Sequence, residues 1–108
     1  MKKRRDVFID EAFAQSAMRH IFSIYDLDEV GFKQTGEEEY VCHSDHYEFK
    51  VCHLYSGEAA LTARFCRTGK LSMVCLLKAG ITAQGESIAR IDRKLEPYEL
   101  RRLPDYII

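Results

Sequence analysis

The chain lacks the features that announce a function outright. Its longest uncharged apolar stretch, Leu71–Leu77, falls far short of the ~20 residues a membrane-spanning helix needs. The basic start MKKRR is followed by VFID rather than by the apolar core of a secretory signal, so a cytoplasmic protein is expected. There is no C-x-x-C pair, no glycine-rich phosphate loop, no G-x-S-x-G and no H-E-x-x-H. Excess charge of one sign is missing too: the net charge is −1, so bulk electrostatics do not drive the chain onto nucleic acid. A membrane and a nucleic acid are thus disfavoured as partners, and no cofactor or metal is implied.

What is present is an ordinary globular composition, 46% hydrophobic and 31% charged over 108 residues. That length predicts a single domain over residues 1–108, with surface enough for one core. Charge is unevenly spread. Asp26–Glu48 carries eight acids against Lys33 alone, and Arg64–Arg102 carries nine bases against four acids. The plain reading is two solvated faces; the sharper one is head-to-tail pairing or a basic docking surface.

Periodicity gives the elements. Asp10 is a good N-cap, and Phe13, Ala17, Ile21 and Ile24 recur at helical spacing with no Pro or Gly between, predicting a helix over 10–26. Alternation then replaces that period. Val30 and Phe32 begin it, and the runs 47–55 and 59–67 are punctuated by turn signals at Thr35-Gly36, Ser56-Gly57 and Thr68-Gly69. Three-residue loops keep the apolar faces together, setting Phe49 against Phe65, Val51 against Ala63, Ala63 against Met73 and Leu61 against Cys75. Ile88, Ile91 and Leu95 suggest a second helix over 85–96, with a restart at Pro97. The expected fold is α+β: a long N-terminal helix packed on a curved antiparallel β-meander of four or five strands, with a helical C-terminal segment. The apolar tail Asp105–Ile108 is expected to tuck back or to meet a second subunit.

The stretch YVCHSDHYEFKVCH, residues 40–53, holds two cysteines and three histidines. With Ser44-Asp45 as the hairpin loop, His43 and His46 share one face while Cys42 and His53 lie on the other. Four ligands cannot converge tetrahedrally from such a spread, which argues against a structural zinc; a loose surface site at His43 and His46 is the remaining metal option. Cys42 and Cys75 read as small core residues, and Cys52 or Cys66 as outward thiols without a base. His53, among Val51, Tyr55 and Leu61, reads first as a core histidine bonded to one oxygen. Joined by His20 from the helix, it would line a pocket with Tyr25 and Tyr55.

Three functions follow. The leading one is a small non-enzymatic binding or interaction protein that self-associates, as a homodimer or with another protein partner, because strand edges and an apolar tail need cover. The second is a small-molecule ligand pocket or enzyme site between helix and sheet, at His20, Tyr25, His53 and Tyr55. The third is a polyanion binder using Arg90, Arg93, Lys94, Arg101 and Arg102, the first three on one helical face, with Lys2–Arg5 at the other end.

Overall fold

The computed structural model describes residues 7–102. Among them six strands form one antiparallel meander in chain order: β1 (Lys33–Gly36), β2 (Glu39–His43), β3 (Tyr47–His53), β4 (Ala59–Phe65), β5 (Leu71–Ile81) and β6 (Ser87–Lys94). The helices are short: α1 (Glu11–Met18), α2 (Pro97–Arg102) and a 3₁₀ turn at Leu27–Val30. The expected fold class is corrected accordingly. The described residues are mostly sheet, and no long helix spans them. The tail 105–108 and the bases Lys2–Arg5 lie outside the described residues.

The helix starts as its sequence dictates. Asp10 Oδ1 accepts the Phe13 N–H at 2.8 Å, and Glu11 sits at the positive end of the helix dipole. It stops early because Phe22 outcompetes the helical stripe. A continuous helix would bury Ile21 and Ile24; instead Phe22 enters the core, its ring edge-on to Phe49 at 5.2 Å, and Ile24 is left 86% exposed. Burying a phenylalanine contributes ~1.5–3 kcal/mol, and Ile21, Ser23 and Ile24 are mediocre helix formers, so tertiary packing overrides the spacing. Asp26 then caps the 3₁₀ turn through the Asp28 N–H at 3.0 Å, and Gly31 closes it with φ 71°.

The second expected helix, 85–96, is strand β6. Its turn is made by Gly85 (φ 82°), with the Thr82 N–H donating to the Glu86 carbonyl at 3.0 Å. The helical spacing of Ile88 and Ile91 misleads because Ile91 is exposed, and the residue that packs into the core is Ala89. Cross-strand chemistry decides: Lys78 on β5 pairs with Asp92 at 3.2 Å, and Leu77 stands opposite Ile91.

Registers keep the expected faces and shift along the strands. On β3 and β4, Phe49 stands opposite Ala63 and Val51 opposite Leu61, not Phe65 and Ala63. The loop is Tyr55-Ser56-Gly57, one residue earlier than expected, since the left-handed residue that closes it must be Gly57 (φ 95°). Ala63 does face Met73 and Leu61 does face Cys75. The shift of two residues preserves which side chains share a side. Phe49, Val51, Leu61 and Met73 therefore pack with Phe13, Ala14, Ala17 and Met18 of α1 in one core.

The opposite side of the sheet is also covered. Ala60, Val74 and Leu76 are buried with Leu54 and Leu95, and Leu100 of α2 lies against them. Glu99 fixes α2 there, accepting from the Glu96 N–H at 3.0 Å and from Arg93 at 2.8 Å. Cys52, read from alternation as an outward thiol, is consequently buried on this second side.

Candidate functional site

The residues singled out by sequence are dispersed. His20, just past α1, donates from Nε2 to the Ala89 carbonyl on β6 at 3.0 Å. His53 donates to the Val7 carbonyl at 2.6 Å and lies 3.9 Å from the Glu38 carboxylate. Glu38 occupies a left-handed backbone conformation (φ 55°) in the β1–β2 turn and accepts the Ile9 N–H at 3.0 Å. Glu38 and His53 together clasp the segment entering α1. Tyr25 and Tyr55 are exposed, Tyr25 touching only the edge of Phe22 among the ring contacts described. The two histidines are thus committed to backbone oxygens on different elements.

His43 stands opposite Glu48, and the two-residue loop is Asp45-His46 rather than Ser44-Asp45. His46 packs towards Phe65, ring centroids 6.5 Å apart, while a Cβ on Gly31 would lie 2.8 Å from His43 Nε2. The pair therefore points to different neighbours. No group of three or more His, Cys, Asp or Glu residues among those described could hold a metal ion. Burial pushes the Cys42 thiol up to about 12 and the Cys52 thiol up to about 11; Cys66 is the exposed cysteine. The basic residues are scattered for lack of a helix: Arg90 stands opposite Lys78, Arg93 is engaged by Glu99, and Lys94 stands opposite Cys75. Arg101 and Arg102 are exposed at the end of α2.

A concavity that the sequence did not suggest lies between α1, the 3₁₀ turn and β1–β2. It measures about 310 Å³ and is lined by Glu11, Gln15 and Arg19 from α1, by Asp26, Leu27 and Asp28, by Phe32, Lys33 and Gln34, and by Tyr40. Glu11, Gln15 and Arg19 recur every four residues, the polar face opposite the one that buries Phe13 and Ala17. Phe32 and Tyr40 stack as its floor, centroids 5.6 Å apart and planes 11° from parallel.

Tyr40 is the unusual member. The residue is only 7% exposed, but its hydroxyl, bonded to no protein group among the described residues, is the part that reaches solvent, since no buried side-chain oxygen or nitrogen among them lacks a partner. Desolvation first, then the negative charges of Glu11 and Asp10, hold that phenol above its ordinary value, so it stays protonated and able to donate. A larger concavity, about 470 Å³ beside Tyr47, Phe65, Lys70 and Leu71, is an open, mainly apolar dish, and another of about 450 Å³ lies along Asp10, Glu11, Ala12 and Gln15.

The signal for this cleft in the sequence was faint. Glu11, Gln15 and Arg19 look like any solvated helix face, and Tyr40 looks like a core aromatic. Comparison with known proteins adds no direction: no protein family, no curated protein and no solved structure matches the chain. No helix among the described residues is long and apolar enough to cross a membrane.

Proposed function

We propose that this protein is a binding module that holds a small polar molecule in the α1–β1 cleft and releases it unchanged. The observation that carries the proposal is Tyr40, whose buried ring forms the cleft floor while its protonated hydroxyl opens to the cleft without a protein partner among the described residues. A ligand oxygen or nitrogen takes the place of water on that hydroxyl, contributing ~0.5–1.5 kcal/mol, or roughly three- to tenfold in affinity. The cleft volume is at the lower end of the range for small-molecule sites. Binding rather than catalysis is favoured because His20 and His53 are committed to backbone carbonyls and three of the four cysteines are buried.

The test is a ligand-observed NMR screen of small polar compounds against the full chain and its Tyr40→Phe variant. Compounds that shift cleft amides should lose about three- to tenfold in affinity on the variant. Compounds that bind only elsewhere, or bind the variant equally well, would overturn the proposal.

Self-association is a second reading, supported by the exposure of Ile24 and Ile81. It does not rest on strand edges. β1 is four residues long and bulged, and β6 carries a bulge, three charged residues beyond it and side-chain caps from α1. Light scattering across micromolar concentrations decides it; a constant monomer mass removes it.

A further inference from the structure

We infer that the far end of β5 is an open strand edge that pairs with the same edge of a second copy of this chain. The inference is independent of the cleft and rests on the self-association reading, for which it supplies the contact surface. β5 runs from Leu71 to Ile81, but β4 pairs with it only as far as Ala60 opposite Leu76. Beyond that point its strand neighbour is β6 alone, through Ile81 opposite Ser87. The surrounding bonds fix where the free groups point. Ser16 Oγ accepts the Ala89 N–H and His20 holds the Ala89 carbonyl, both from outside the sheet. Ala89 and its partner Ala79 therefore turn their backbone groups away from each other. The Thr82 N–H donates inward to the Glu86 carbonyl, which puts Ile81 in the same outward phase as Ala79. These outward N–H and C=O groups of Ala79 and Ile81 have no hydrogen-bond partner among the described residues.

This edge lacks the guards that the outer strands carry. β1 is short and bulged, and on β6 the outward groups of Ala89 are capped from α1. The stretch Lys78–Ile81 has no proline and no bulge, and its one charge, Lys78, is engaged by Asp92 at 3.2 Å. Ala79 is exposed, and Ile81 is 76% exposed. A second copy is the fitting occupant because an antiparallel edge is its own complement when turned about a two-fold axis. With that axis at Gly80, Ala79 of one protomer stands opposite Ile81 of its partner, and each such pair exchanges both of its N–H···O bonds. The large Ile81 then lies beside the small Ala79. Lys78 stands opposite Thr82 in this register, so no like charges on β5 are set directly against each other.

The experiment follows the ¹⁵N-labelled full chain by sedimentation velocity and amide hydrogen exchange from about 10 μM to about 1 mM, beside Ala79→Pro, Ile81→Lys and the control Ile24→Lys. Ala79→Pro removes an outward N–H and no bond to β6, and Ile81→Lys places a charge on the edge. The expected result is a dimer that grows with concentration, with exchange at the Ala79 and Ile81 amides slowing about tenfold or more as it forms. The Lys78 and Gly80 amides, bonded to β6, should be protected at every concentration and in every variant, which shows that the variants fold. Both edge variants should weaken association by about tenfold or more, and Ile24→Lys should leave it unchanged. A constant monomer mass would overturn this interface together with self-association. A dimer insensitive to both edge variants, or abolished instead by Ile24→Lys, would overturn this edge and leave self-association standing. Protection of the Ala79 and Ile81 amides already at the lowest concentration would show that the chain covers its own edge, and would equally overturn the inference.

Discussion

Replacing Tyr40 by Phe separates two properties that usually travel together. The ring is retained, and with it the stack on Phe32 at 5.6 Å and the apolar area buried beneath α1. Only the hydroxyl goes. A hydroxyl bonded to a protein acceptor contributes ~0.5–1.5 kcal/mol, and removing it would also strand that acceptor. Tyr40 has no such acceptor among the described residues, so Tyr40→Phe should unfold in urea within about 0.5 kcal/mol of the parent, with unchanged slope. Tyr40→Ala provides the scale: loss of a buried aromatic ring costs ~3–5 kcal/mol. The pH dependence gives an independent readout. Folding raises the Tyr40 phenol, so its contribution is intact below about pH 10, the unfolded value, and is lost as the phenol ionises above it. Tyr40→Phe should remove a phenol that ionises above the ordinary tyrosine value from the alkaline absorbance titration. A destabilisation beyond about 1.5 kcal/mol would show that the hydroxyl is already bonded within the protein, and the ligand argument would fall with it.

Other outcomes follow from single contacts. Ser16 Oγ accepts the Ala89 N–H at 2.6 Å and donates to the Phe13 carbonyl at 2.8 Å, so Ser16→Ala should cost about 1 kcal/mol and speed hydrogen exchange at Ala89. In native protein at neutral pH, a thiol reagent should modify Cys66 rapidly and Cys42, Cys52 and Cys75 only after denaturation; rapid loss of a second thiol would contradict the packing of both sheet faces. The Arg93 hydrogen bond first, then the Glu96 N–H, holds the Glu99 carboxyl below its ordinary value. Its contribution to α2 is therefore present above the unfolded carboxylate range and lost as pH falls through the lower, folded value, which amide shifts of Pro97–Arg102 neighbours would follow. Gly31→Ala should destabilise by about 1 kcal/mol or more, because φ is 71° and the new Cβ would lie 2.8 Å from His43 Nε2; a neutral effect in urea would contradict that geometry.

The sequence by itself determined where α1 begins, which residues of β3, β4 and β5 share a side, and that Gly57 and Gly69 close turns. Each is a local property: a cap reaches three residues, alternation has a period of two, and only glycine accepts a left-handed turn cheaply. Tertiary structure decided the rest. Whether Phe22 or Ile24 enters the core depends on Phe49, a strand away, and that choice goes with the end of α1 at Met18. Whether residues 87–94 coil or extend depends on β5 offering Leu77 and Lys78 as neighbours. Alternation marks two sides of a sheet but not whether both are covered, so Cys52 became legible as buried only once α2 lay across Val74 and Leu76. The cleft is the extreme case. Its members come from α1, the 3₁₀ turn and the first hairpin, and an unpartnered phenol is a statement about what surrounds it, which no local pattern encodes.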